Sequence, residues 1–191
     1  LKKSPEIAVP LFDRLGSPDQ AAKITGSLAL QLACTLGEFQ HPRSGVSLAN
    51  LALAHVEDRY VRAAVASSVT KHNLPGVFEA VLAAEQSSDS SAMNGLVDDM
   101  ISIAVGFGNG DAVARLAATL NDGEKRGLRR FVALLEALRR HRRDIEDVLE
   151  APEERQRVVR MVEKAIQLAA DTESSDSDRI SSLGAFGLRP E

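Results

Sequence analysis

Apolar residues recur every three or four positions along most of this chain, between short breaks rich in Gly, Pro, Asn, Asp and Ser. This spacing is that of one face of an α-helix, and the breaks are typical of turns between helices. Hydrophobic residues make up 44% of the chain but aromatic residues only 4%. Because Ala and Leu favour helices over strands, the sequence predicts an all-α fold. The predicted helices cover about 5–15, 20–39, 43–55, 59–71 and 124–143, with others around 77–85, 96–107 and 111–120, the last capped by Asp111, and one more after Pro152.

Three short segments of small and apolar residues resemble one another, and each is followed by a turn and another helix. They contain Leu36, Val69 and Val105, which are separated by 33 and 36 residues. Periods of this length are typical of two-helix solenoid repeats, which bury their apolar faces by stacking on neighbouring pairs. We therefore expect an α-α superhelix, a HEAT-like or armadillo-like solenoid, rather than a closed bundle.

The whole chain, 1–191, is long enough for one domain and is expected to form a single HEAT-like repeat domain. The repeats are more regular over 20–121, and longer, charged helices occupy 123–173. The polar run 171–178 is interpreted as a hinge, and 179–188 resembles the start of a further repeat helix.

Charge and composition disfavour several classes of function. The formal net charge of −4 argues against non-specific nucleic-acid binding, which needs an excess of Lys and Arg. Cys34 is the only cysteine, so the chain has no internal disulfide and no haem-attachment CxxCH motif; it is expected to be a buried structural thiol. No stretch reaches the roughly 18 apolar residues of a membrane-spanning helix. Because the chain starts at Leu1 without an initiator Met, we expect it to be a piece of a longer protein.

The histidines do not form a metal-binding motif, because none has a second His or a Cys within four residues. Three of the four fall at predicted helix ends, where imidazole interacts favourably with the negative end of the helix dipole. The four are His41, His55, His72 and His141.

Other candidates for chemistry have simpler structural interpretations. The glycines of 106–110 resemble a phosphate-binding loop, but without a preceding strand they predict a helix C-cap and a tight turn. Asp98 and Asp99 are adjacent and so point in different directions on a helix. No strand-turn-helix elbow surrounds any of the serines considered as nucleophiles, which are Ser27, Ser67 and Ser181. The sequence therefore nominates no catalytic, cofactor-binding or metal-binding residue, and no cofactor.

The strongest charge cluster lies at the end of the predicted helix 124–143. It consists of Arg139, Arg140, Arg142 and Arg143 around a histidine, and it is a candidate docking patch for an acidic protein partner. Acidic residues follow at once over 144–154, and the sequence favours ion pairing between the two groups on a solvated surface.

Two stretches within about Ser27 to Leu120 are similar to the HEAT-repeat region of large planctomycete-type membrane-bound dehydrogenases. The first is LALQLACTLGE over 28–38; the second, DRYVRAAVASS over 58–68, resembles the repeat pattern D-x-x-V-R-A-A-x-x-S-S of that family. In such proteins a sorbosone-dehydrogenase-like propeller precedes the repeats and a c-type cytochrome domain follows them. The resemblance implies a helical spacer or docking module on the extracytoplasmic (periplasmic) side, with the catalytic and haem-binding residues outside this chain.

Two functional hypotheses follow. The first is a non-catalytic helical repeat scaffold or protein-interaction module, excised from a larger redox protein and binding adjacent domains or another protein. The second is a helical-repeat enzyme of the DNA-glycosylase type, which would need a basic groove and an aromatic pocket that an acidic chain without Trp does not suggest. Residues predicted to form the core are Leu28, Leu32, Leu36, Leu51, Val61, Val65, Val69, Val81, Leu96, Ile103, Leu116, Phe131, Leu135, Leu138, Val162 and Ile166.

Overall fold

The computed structural model of the protein describes residues 5–88, 90–120, 125–171 and 179. Every regular element in these ranges is helical, which confirms the all-α prediction. The elements are α1 (Pro5–Arg14), α2 (Pro18–Ala21), α3 (Gly26–Gly37), α4 (Pro42–Ala54), α5 (Arg59–Ser68), α6 (Leu74–Glu85), α7 (Ser91–Phe107), α8 (Gly110–Ala118), α9 (Lys125–His141), a 3-10 turn (Ile145–Asp147) and α10 (Pro152–Ala170).

Two details of the predicted helices are wrong. The helix predicted over 20–39 is interrupted, since α2 ends at Ala21 and α3 begins at Gly26. Gly26 has φ +56°, a left-handed conformation that a continuous right-handed helix does not contain. The predicted cap of α8, Asp111, lies in its first turn instead, and Asn109 is the N-cap, accepting a hydrogen bond of 2.9 Å from the Ala112 N–H.

The chain divides into two compact units, 1–103 and 104–191, and the boundary falls within α7. In the first unit α4 is the central helix, because it contacts α1, α2, α3, α5 and α6. α3 packs on α5 in the same unit. Two consecutive helices, α3 and α4, therefore each contact the helix two positions further along the chain.

Small residues allow these helices to approach closely. A Cβ atom on Gly45 of α4 would overlap the backbone oxygen of Asn73 and lie 3.2 Å from the Cα of Gly76 in α6. A Cβ atom on Gly37, at the end of α3, would lie 2.8 Å from the carbonyl oxygen of Ser68, at the end of α5. Since real Cβ contacts are longer than this, only glycine fits at positions 37 and 45 without movement of the neighbouring helix.

Side chains from one helix satisfy the backbone ends of others in the first unit. Asn50 of α4 is 6% exposed, and its Nδ2 donates a hydrogen bond of 2.7 Å to the carbonyl of Leu15, after α1. Arg62 of α5 donates a bond of 2.8 Å to the carbonyl of Ala92 in the first turn of α7. These bonds connect α4 to the end of α1 and α5 to the start of α7.

In the second unit α10 packs against α8 and α9. Its buried line is Val158, Met161 and Ala165, and Arg157 beside that line donates a hydrogen bond of 3.1 Å to the Ala118 carbonyl at the end of α8. The same contact therefore combines apolar burial with a positive charge at a helix C-terminus, which the helix dipole favours.

Most of the predicted core residues are buried. The buried ones are Leu36, Leu51, Val61, Val65, Val69, Val81, Leu96, Leu116, Phe131 and Leu138. Four are half-buried, namely Leu32, Ile103, Leu135 and Val162. Two predictions are wrong, since Leu28 and Ile166 are each 51% exposed.

Both errors arise because an alanine, rather than the large apolar residue next to it in sequence, lies on the buried face of the helix. The buried line of α3 is Ala29, Ala33 and Leu36, so Leu28 lies one residue, or about 100° of rotation, away from it. Cys34 follows Ala33 and is exposed, so its predicted burial is also wrong. In α10 the alanine at 165 is buried, and the adjacent Ile166 is turned towards solvent.

Candidate binding surface

The predicted docking patch lies at the end of α9, an amphipathic helix of the second unit. Leu128, Phe131, Leu134 and Leu138 bury one face of this helix. The arginine-rich end follows directly after Leu138, and Arg139, Arg140 and Arg142 are exposed there. Basic residues in the last turn are favourable because the C-terminal end of a helix dipole is negative.

The backbone ends α9 in a Schellman motif. The Arg142 N–H donates to the Arg139 carbonyl at 3.2 Å, and the Arg143 N–H donates to the Leu138 carbonyl at 3.0 Å. Arg142 occupies the left-handed position of the motif with φ +53°, and it is the only residue other than glycine with positive φ in the described part of the chain. Such a conformation is unfavourable for a residue with a Cβ atom and is usually adopted by glycine.

The end of α7 has the same motif with glycine at the left-handed position. Gly108 has φ +63°, its N–H donates to the Val105 carbonyl at 2.9 Å, and the Asn109 N–H donates to the Ala104 carbonyl at 3.0 Å. This geometry confirms that the glycines of 106–110 form a helix C-cap and turn. At the left-handed position, the end of α7 therefore has the preferred glycine, whereas the end of α9 has an arginine.

Arg143 and His141 pack against the end of α7. The Nη2 of Arg143 donates a hydrogen bond of 3.3 Å to the Gly106 carbonyl. A Cβ atom on Gly108 would lie 3.0 Å from Nη1 of Arg143, and one on Gly106 would lie 2.8 Å from the His141 ring. Arg143 is half-buried, so it caps α7, whereas the other three arginines of the predicted patch are exposed.

Three arginines of the predicted patch make no ion pair with the described acidic segment that follows them. No ion pair within 4 Å joins Arg139, Arg142 or Arg143 to an acidic side chain among the described residues 144–154. In that segment Asp147 instead accepts a hydrogen bond of 2.9 Å from the N–H of Asp144, which closes a capping box. Arg140 does have contacts within the protein, so the exposed pair with neither a hydrogen bond nor an ion pair to a described side chain is Arg139 and Arg142.

A shallow groove in the same unit is acidic. It is lined by Gly108, Asn109, Gly110, Asp111, Ala114, Glu150, Ala151 and Glu154. Asp111 and Glu154 lie in the first turns of α8 and α10, where carboxylates stabilise the positive end of the helix dipole. Helix stabilisation is therefore a sufficient explanation for Asp111 and Glu154.

The histidines are spread over different helix ends. His41 is the N-cap of α4 and its Nδ1 accepts a hydrogen bond of 3.1 Å from the Arg43 N–H, so it lies at the positive end of that helix dipole. His55 follows the end of α4, His72 lies in the turn before α6, and His141 ends α9. Across the residues that the structure describes, no group of three or more His, Cys, Asp or Glu side chains is placed to hold a metal ion.

The remaining candidates occupy separate surface positions. Asp98 and Asp99 are both exposed on α7, and Ser27 is exposed at the start of α3. The Ser67 hydroxyl donates a hydrogen bond of 2.9 Å to the Ala64 carbonyl in its own helix. Ser181 and the predicted repeat helix over 179–188 lie outside the described residues, except for Arg179.

Comparison with known proteins gives no family assignment. No family model matches the chain, and no match was found among curated proteins or solved structures. Within the described ranges, no helix combines the length and the hydrophobicity needed to cross a membrane.

Proposed function

We propose that the chain is a non-catalytic helical repeat scaffold that binds other proteins. The observation that carries this proposal is that three helices pack on the helix two positions further along: α3 on α5, α4 on α6, and, in the second unit, α8 on α10. In a HEAT-like solenoid the first helices of successive pairs stack on each other, and so do the second helices. Extended repeat surfaces of this kind serve as binding platforms.

The repeat interpretation is supported by where the sequence repeats fall in the helices. Leu36 and Val105 lie in the last turns of α3 and α7, and Val69 directly follows α5. In the proposed array these are the first helices of three successive pairs. The buried face of α3 at Ala29, Ala33 and Leu36 has the spacing of the α5 face at Val61, Val65 and Ser68, 32 residues later. By this register Leu36 corresponds to Ser68, one residue before the Val69 expected from the sequence.

Two residues of the motif that resembles the dehydrogenase repeats have clear structural roles. Asp58 caps α5 by accepting hydrogen bonds from the N–H groups of Tyr60 and Val61, at 2.9 and 3.3 Å. Arg62, four residues later, donates to the start of α7. These roles support a repeat in which a cap begins one helix and an arginine connects it to the next pair. We therefore propose that the chain is the helical spacer between a redox propeller and a cytochrome domain, on the extracytoplasmic side.

The proposal is tested by mixing this chain with the separately purified propeller and cytochrome domains of the parent protein. Size-exclusion chromatography at micromolar concentration should show a complex with at least one of them. Free migration of all three components would contradict the scaffold proposal. A complex with duplex DNA at physiological salt, in place of a complex with either domain, would support the glycosylase-type alternative instead.

A further inference from the structure

We propose that the exposed side chains of Arg139 and Arg142, at the end of α9, bind carboxylates of an acidic protein segment. This inference rests on the proposed function, because it specifies which surface of the interaction module is used and what chemistry it recognises. It concerns the second unit alone, and it uses two of the four arginines of the predicted patch.

The first observation is the backbone of Arg142. Its left-handed conformation costs free energy that glycine would avoid, as Gly108 does at the equivalent position after α7. No hydrogen bond or ion pair to a described residue offsets this cost through the Arg142 side chain. A strained, exposed and charged residue at a position suited to glycine indicates that its side chain has a use outside the fold.

The second observation is that the residues on either side of Arg142 are fixed. The ring of His141 fits against Gly106, and the guanidinium of Arg143 donates to the Gly106 carbonyl. Arg139 is connected to Arg142 through the backbone bond of 3.2 Å that closes the helix end. Two guanidinium groups therefore extend from a helix end whose backbone is already ordered, which lowers the entropic cost of binding.

The chemistry of the partner follows from the two guanidinium groups and the nearby acidic groove. Guanidinium binds carboxylate with two parallel hydrogen bonds, and exposed arginines speed the approach of an acidic partner. A long phosphate backbone is disfavoured, because the groove beside Gly108 presents Asp111, Glu150 and Glu154. A short acidic peptide needs to cover only the helix end.

Four variants of the full chain test the inference, with a fluorescent polyglutamate peptide as the probe. Arg142→Gly and Arg142→Asn remove the charge and suit the left-handed backbone, whereas Arg142→Lys keeps the charge and the strain. Arg14→Gln removes an exposed arginine of α1 and is the control for net charge. Circular dichroism establishes that each variant is folded.

At low salt, Arg142→Gly and Arg142→Asn should weaken peptide binding by about three- to five-fold. Arg142→Lys should weaken it by about two-fold, because it keeps the charge but loses the two parallel hydrogen bonds, and Arg14→Gln should change it by less than that. Arg142→Gly should also raise the melting temperature by about 2–4 °C. A gain in stability together with a loss of binding is a result that a purely structural role of Arg142 would not give.

The inference is overturned if Arg142→Gly gains stability and binds the peptide as well as the wild type. It is also overturned if a DNA duplex of matched charge binds more tightly than the peptide and is weakened by the same variants. The two proposals fail separately. If a domain complex forms and is insensitive to Arg139→Gln and Arg142→Gly, this binding surface is refuted and the scaffold proposal stands. If the peptide binds but no domain complex forms, the scaffold proposal is refuted.

Discussion

Arg143 donates a hydrogen bond of 3.3 Å from its Nη2 to the carbonyl oxygen of Gly106 in the last turn of α7. This carbonyl belongs to a helix end where backbone oxygens lack partners within the helix. The bond gives Arg143 a structural role that Arg139 does not have, although both lie in the same short basic run. Arg143 is bonded within the fold, whereas Arg139 is exposed and belongs to the surface proposed to bind a partner.

Replacing Arg143 with Gln should therefore lower the free energy of unfolding by about 1 kcal/mol, because a cation and a donor are lost at the end of α7. Replacing Arg139 with Gln should change it by no more than about 0.5 kcal/mol, as for other exposed side chains. Urea denaturation of both variants measures the difference. Equal effects would show that the bond to Gly106 contributes nothing to stability.

Two apolar residues of the first unit differ in burial, so the same substitution should lower stability strongly at one and hardly at the other. Val65 is fully buried in α5, so Val65→Asp places an unpaired charge in the core and should cost several kcal/mol, about enough to unfold the unit. Leu28 is 51% exposed, so Leu28→Asp should leave the thermal transition nearly unchanged. Thermal melting followed by circular dichroism compares them, and a normal transition for Val65→Asp would refute this packing.

Asp58 provides a test of the capping role assigned to the repeat motif. Asp58→Ala removes the acceptor for two backbone N–H groups at the start of α5 and should destabilise the protein by about 1 kcal/mol. Asp58→Asn keeps an oxygen acceptor and should retain most of the stability. Chemical denaturation measures the free energy of unfolding of both variants. An equal loss of stability in the two would contradict the capping role.

The existence of the helices could be predicted from the sequence, but the faces of two of them could not. Large side chains suggest a core, so the spacing of Leu28 and Leu32 marked the wrong face of α3. The structure uses the neighbouring alanines at 29 and 33, because small side chains let α3 approach α5 closely. A sequence alone does not say how near two helices come, and this distance decides whether leucine or alanine is buried.

The sequence predicts the arginine cluster at the end of α9, but it does not predict that the individual arginines have different roles. The basic run identified Arg139 to Arg143, yet the capping role of Arg143 depends on Gly106, 37 residues earlier in the chain. The strain at Arg142 was also missed. One signal was present: the run contains neither Gly nor Asn, the residues that most readily take the left-handed position at a helix end.

Two glycines at the contact of α4 with α6 allow a controlled comparison of the same substitution. A Cβ atom on Gly45 would overlap the backbone of Asn73, so Gly45→Ala should cost about 1–3 kcal/mol. The nearest atom to a Cβ on Gly76 is 3.5 Å away, so Gly76→Ala should be neutral or stabilising by up to about 1 kcal/mol. Thermal or urea denaturation measures the stability of the two variants. Similar changes in the free energy of unfolding would contradict the close packing of these helices.

The stacked-repeat account is tested most directly by hydrogen exchange, followed by mass spectrometry, on the wild type and on Gly45→Ala. In a repeat array each pair is stabilised by its neighbours, so damage at one contact stays local. We predict faster exchange in α3, α4, α5 and α6, and unchanged exchange in α8, α9 and α10. The same acceleration in all of these helices would contradict the repeat architecture, because it would mean that they open together as one cooperative bundle.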